Sequence, residues 1–105
     1  MNETEFLDAS DAVLEKIQTA LDEAQIDVDY QQNGGVLELE FADGGKIIVN
    51  RHLPNREIWV AAKSGGFHYA QDAAHNWINT RDGSELFVSL ARLVSVAAAE
   101  PFSFD

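Results

Sequence analysis

The sequence contains no cysteine, which excludes disulfides, thiolate metal sites and thiol nucleophiles and suits a reducing compartment. Positive charge is scarce: seven Lys and Arg stand against 18 Asp and Glu. Long apolar runs are missing as well, since no stretch approaches the roughly 18 residues of a membrane span. The opening Met-Asn-Glu-Thr-Glu-Phe carries neither the basic region nor the apolar run of a secretory leader. These absences predict a soluble, cytoplasmic protein. What remains is 105 residues, 46% of them hydrophobic. That is enough for one globular domain spanning 1–105, with no repeat and no interdomain linker.

The negative charge is unevenly placed. Residues 1–43 hold twelve of the acids against a single base, Lys16, whereas residues 44–105 hold six acids and six bases. All of the net charge of -11 therefore sits in the first two-fifths of the chain. Like charges repel, so nucleic acid and anionic membranes are disfavoured partners for that part. A cation or a basic protein surface is the natural one. Acidity as such promotes solubility, but asymmetry of this size asks for a further reason.

Residues 3–24 carry the period of a surface helix, capped near Asn2 or Thr4. Phe6, Leu7, Val13, Leu14, Ile17, Leu21 and Ala24 share one face. At about 100° per residue, Asp8, Asp11, Glu15 and Asp22 fall within an arc of roughly 60° beside it. Like charges three and four apart cost a helix a few tenths of a kcal/mol per pair, to order of magnitude, roughly 0.2–0.5. The stripe is thus more simply explained by function than by helix stability.

Strands follow. Ile26, Val28 and Tyr30 alternate with Asp27, Asp29 and Gln31, the period of a half-buried strand. Asn33-Gly34-Gly35 makes a turn into alternating Leu37, Leu39 and Phe41. Asp43-Gly44 signals a hairpin into residues 46–51. Further strands are expected at 57–63, 67–69 and 77–79. A second helix is expected from about Asp82-Gly83-Ser84 to Ala99, with Leu86, Leu90, Leu93, Val94 and Ala97 inward and Pro101 ending it. Phe102 and Phe104 then pack back on the core. Helix, antiparallel strands, helix predicts an α+β fold, a two-layer sandwich with both helices on one face of the sheet.

With one face covered, alternation sends Leu37, Leu39, Phe41, Ile47, Val49, Ile58, Val60, Phe67 and Tyr69 inward. Glu38, Glu40, Ile48, Asn50, Trp59, Ala61 and His68 then point outward. A Trp displayed on an open sheet is a candidate docking anchor; the simpler alternative is a Trp half-covered by a loop. Trp77, near a strand end, reads as core.

The carboxylate stripe is the leading chemical signal. Hard cations prefer oxygen ligands, and Asp and Glu without His or Cys suit iron, manganese, calcium or magnesium. Binding through one or two exposed side chains and water implies modest affinity and poor selectivity. Asp27, Asp29, Gln31, Asn33 and Glu38 fall at calcium-loop positions, but Gln32 stands where the loop needs glycine, and the segment alternates like a strand. His52, His68 and His75 lack metal-ligand spacing and read as solvated histidines. No nucleophile elbow, phosphate loop, dinucleotide fingerprint or zinc-protease motif is present. The chain is therefore not expected to be an enzyme.

Residues Asn50-Arg51-His52-Leu53-Pro54-Asn55-Arg56-Glu57-Ile58-Trp59-Val60-Ala61, followed by Lys63-Ser64-Gly65-Gly66-Phe67-His68-Tyr69, resemble the signature of the frataxin family. Asn33-Gly34-Gly35-Val36-Leu37, Trp77-Ile78 and Glu5-Phe6 resemble its bacterial CyaY branch, so the likeness covers essentially the whole chain. His52 and Glu57 stand where the family usually has Gln. The resemblance implies an α-β-α sandwich that binds Fe(II) and Fe(III) weakly on an acidic ridge. Other divalent or trivalent cations can substitute.

The resemblance also implies docking on cysteine desulfurase and the iron–sulfur scaffold protein, and so regulation of cluster assembly. By position, Asp22, Glu23, Asp27 and Asp29 match the ridge, while Asn50 and Trp59 match the partner-binding sheet surface. Glu3, Asp8, Asp11 and Glu15 extend the ridge; Gln18 and Thr19 interrupt it. The metal ligands expected are thus Asp8, Asp11, Glu15, Asp22, Glu23, Asp27 and Asp29. The partner contacts expected are Asn50, Trp59, Asp22 and Glu23. The protein is expected to be a monomer at rest, with oligomers driven by iron. A ferroxidase or iron-storage role is the alternative within iron chemistry, and an acidic mimic of nucleic acid the alternative outside it.

Overall fold

In a computed structural model, residues 1–104 are described, and they form two helices and a six-stranded sheet. Helix α1 (Glu3–Glu23) begins at a reciprocal cap. The Asn2 side chain accepts the Glu5 N–H at 2.8 Å, and the Glu5 carboxylate accepts the Asn2 N–H at 3.1 Å. Two of the helix's unpaired donors are satisfied at once. Its apolar stripe buries Phe6, Val13, Leu14, Ile17 and Leu21, with Ser10 among them. The buried Ser10 hydroxyl is satisfied locally, donating to the Leu7 carbonyl at 3.1 Å.

Strands β1 (Val28–Asn33), β2 (Val36–Phe41), β3 (Lys46–His52), β4 (Glu57–Ala62), β5 (Gly65–Gln71) and β6 (Trp77–Asn79) pair in chain order, all antiparallel. Each neighbour is reached by a short turn, so sequence order becomes spatial order. The two-residue turn Gly34-Gly35 sets Asn33 opposite Val36 and so Asp29 opposite Glu40. Gly34 holds φ +58° and Gly44 φ +87°, backbone that a side chain disfavours. Strand β5 extends beyond the expected 67–69 because Ala62 pairs directly with Gly65 across the hairpin.

Helix α2 (Leu86–Ala98) starts later than the sequence suggests. The Asn79 side chain accepts the N–H groups of Arg81 and Asp82, and the Asp82 carboxylate accepts the backbone N–H and the hydroxyl of Ser84. This turn keeps the segment out of helical geometry. Glu85 stays extended, bridges Ile78, and caps the helix by accepting the Val88 N–H at 3.0 Å.

The core lies between the helices and one sheet face. It joins Phe6, Leu14, Ile17 and Leu21 of α1, Leu86, Leu90 and Val94 of α2, and Leu37, Leu39, Phe41, Ile47, Val49, Ile58, Val60 and Tyr69 of the strands. Fully burying one such side chain contributes about 1.5–3 kcal/mol. Phe67, expected inward, is half-buried against the core's margin. Trp77 is buried edge-on to Phe6, centroids 6.2 Å apart. The tail folds back as expected. Ser95 Oγ accepts the Phe102 N–H at 3.0 Å, and Phe104 packs edge-on to Phe87 and Phe102, each 5.0 Å away. None of the described helices is long and apolar enough to cross a membrane. The architecture is the expected α+β sandwich.

Candidate metal-binding ridge and sheet surface

The period of α1 puts Asp11, Glu15 and Asp22 on the flank that overlooks β1. There they line one open groove of about 490 Å³ with Gln18, Thr19, Tyr30 and Gln32. Two of the three carboxylates are already engaged. Asp11 makes a close ion pair with Arg51 of β3, whose side chain crosses Gly35; a Cβ at Gly35 would sit 2.5 Å from Arg51 Nε. Asp22 accepts the Tyr30 hydroxyl at 2.8 and 2.9 Å to its two oxygens. That hydrogen bond, then burial, then the Asp22 charge raise the Tyr30 pKa above its ordinary 10.0. Glu15 is exposed and makes no ion pair or hydrogen bond among the described residues.

The remaining carboxylates stand elsewhere. Asp8 is exposed on α1 toward its N-terminus, and Glu23 is exposed at the last turn. Strand alternation turns Asp29 away from Tyr30, so it leaves the α1 groove and faces the other side of the sheet. There Asp29 lies directly opposite Glu40, and with Asp27 the pair lines a second concavity of about 280 Å³ against Phe41, Ala42 and Gly44. Like charges directly opposite on a sheet are destabilising, an arrangement a bound cation relieves. The ridge is therefore two groups wrapping the β1 edge rather than a single row. Glu40 joins it without having been expected, although the Gly34-Gly35 turn contained that register. Among the described residues, no three His, Asp or Glu side chains converge closely enough to hold a metal ion together.

The open sheet face carries the second set. Trp59 points outward and is half-buried, with Asn50 directly opposite on β3. His52 and His68 stack on its two faces, with centroids at 3.7 and 4.2 Å and planes within 10° of parallel. Glu57 Oε1 accepts the indole N–H at 2.7 Å. Neither histidine is simply solvated, as spacing alone suggested: cross-strand register brings both onto the tryptophan. His75, in contrast, is exposed in the β5–β6 loop. Asp22 and Glu23 lie on α1, whereas Asn50 and Trp59 lie on the opposite side of the sheet, so the four expected partner contacts form two surfaces.

The chain's relatives agree with this architecture. The iron–sulfur cluster assembly protein CyaY of Janthinobacterium sp. (strain Marseille) is 48% identical over 96% of this chain and 94% of its own. Its namesake from Vibrio cholerae is 46% identical over 99% of both. Among solved structures, frataxin from Psychromonas ingrahamii superposes with a TM-score of 0.94 at 35% identity, covering 100% of this chain and 99% of that one. Trimeric frataxin from Saccharomyces cerevisiae, complexed with ferrous, superposes at 0.74 with 26% identity over 88% and 87%. Residues 1–100 match the model of the frataxin-like domain, and the chain belongs to that family.

Proposed function

We propose that this chain serves iron–sulfur cluster assembly as an iron-binding regulator: it binds Fe(II) or Fe(III) weakly on its acidic edge and docks on cysteine desulfurase and the scaffold protein. Support for the assembly role comes from its bacterial relatives, which are iron–sulfur cluster assembly proteins. Support for iron comes from the ferrous complex of the yeast protein and from carboxylate oxygens, which suit a hard cation. The observation that carries the proposal is the clustering of Asp11, Glu15 and Asp22 on one side of β1, and of Asp27, Asp29 and Glu40 on the other.

These groups are exposed rather than enclosed, so water completes the coordination and the ion exchanges readily. An enclosed di-iron centre draws inward-facing Glu and His from several helices, a geometry unlike this edge. The function is accordingly binding and delivery, in the cytoplasm, without catalytic turnover.

Replacing Asp22 and Glu23 by Lys inverts the charge at the lower end of α1. We expect both Fe(II) affinity and desulfurase association to fall about ten-fold or more, as expected for reversal of interfacial charge. Anaerobic calorimetry and a pull-down with purified desulfurase measure the two losses. Unchanged values would remove the ridge from both roles, and sustained oxygen consumption by the monomer with excess ferrous ion would make it a ferroxidase instead.

A further inference from the structure

The one base of residues 1–43 is drawn away from the acids around it, because Lys16 turns its ammonium over the Phe87 ring, 4.2 Å from the centroid. The cation that meets the α1 groove comes from far along the chain. Arg51 lies on the helix-covered face of β3, opposite the buried Ile58, and its side chain is 21% exposed. The side chain runs across Gly35 to α1. There its guanidinium donates to Ser10 Oγ at 3.5 Å and to the Asp11 carboxylate in a close ion pair. The bare backbone of Gly35 leaves this path open.

Spacing decides what that ion pair costs the groove. Asp11 and Glu15 are one helical turn apart, so their side chains are neighbours. Asp22 stands two turns beyond Glu15, about 10 Å along the axis, and both its oxygens accept the Tyr30 hydroxyl. Asp11 and Glu15 are thus the pair that one ion bridges most readily. Arg51 already holds half of it.

We propose that Arg51 is the built-in counter-cation of this pair and sets how tightly the groove takes an added cation. An ion that bridges Asp11 and Glu15 must displace the guanidinium. This rests on reading the acidic edge as a cation site, and it names the residue that limits that site. Asp11 is well exposed, and an ion pair open to water is weak, so a multiply charged ion can exchange with the guanidinium. Exchange frees Arg51 from α1 while its backbone stays in the β3–β4 ladder.

The test measures Fe(II) affinity by anaerobic calorimetry for the full chain, Arg51→Gln, Asp11→Asn, the double variant and Gly35→Ala. Urea midpoints show that each is folded. Arg51→Gln is expected to bind about three- to ten-fold more tightly, the scale of removing one charge a few ångströms from a divalent ion in a wet site. In the Asp11→Asn background the same exchange is expected to gain less than about two-fold, because the two residues act as a pair. Gly35→Ala keeps the charge but puts a Cβ 2.5 Å from Arg51 Nε, which pushes the side chain off Asp11. It is expected to tighten binding in the same direction, without Arg51 being changed. Broadening of backbone amides by Fe(II) is expected to peak nearer Asp22 in the parent and around residues 11–15 in Arg51→Gln.

Equal gains in both backgrounds would make Arg51 a remote charge rather than the holder of Asp11, and the proposal falls. It falls too if Arg51→Gln and Gly35→Ala bind like the parent while Fe(II) still broadens the parent's groove amides; the cation site itself then survives. A parent whose groove amides ignore Fe(II) would remove the site and the proposal together.

Discussion

Tyr30 shows how a single side chain conditions the ridge. Its hydroxyl occupies both oxygens of Asp22, and the hydrogen bond raises its pKa above 10.0. The fold therefore favours the neutral phenol. That contribution is fully present below pH 10.0 and is lost as pH rises through the raised value. Tyr30→Phe removes it, so the variant's urea midpoint should fall less than the parent's between pH 8 and pH 11, values chosen to bracket the titration at about 10. The same change frees Asp22, and Fe(II) affinity at neutral pH should rise about two-fold, the scale of one competing hydrogen bond.

Not all of this was legible beforehand. Trp59 could be placed outward because Ile58 and Val60 flank it, and both are buried. Its histidine neighbours could not be placed, because stacking depends on the joint register of three strands and on side-chain torsions that periodicity does not contain.

At the scale of elements, the two helices contrast. The start of α1 was readable as a cap near Asn2 or Thr4, because capping is local in sequence; the structure places it at Asn2, with Glu5 as its reciprocal partner. The start of α2 was not, because it is set by the turn that the Asn79 side chain holds and by the Ile78–Glu85 bridge, which hydrophobic periodicity does not register. The end of α2 carries a cost that sequence alone does not display. Ala99 adopts the left-handed conformation, φ 55° and ψ 37°, at the position where helices commonly place glycine. Exchanging it for glycine removes the clash of the Cβ with the backbone. Ala99→Gly should therefore stabilise the protein by about 0.5–1 kcal/mol, read from urea unfolding.

Across the whole molecule, the excess of acids in residues 1–43 folds onto one helix flank and the β1 and β2 edge of the sheet. The charge asymmetry was visible in the sequence; its division into two groups was not fully drawn from it. Alternation sends Asp29 to the face opposite Tyr30, where register supplies Glu40, while Arg51 crosses from β3 to hold Asp11. The molecule thus separates an acidic edge from an open aromatic sheet face; under the proposed function the first would hold the cation and the second the partner.

The most direct test is an anaerobic titration of isotope-labelled protein with ferrous ion, following each backbone amide by NMR. The account predicts that the first equivalents broaden amides of residues 11–32 and around Glu40, and leave His52, Trp59 and His68 unaffected. Broadening centred on the histidine stack, or spread evenly over the molecule, would contradict it.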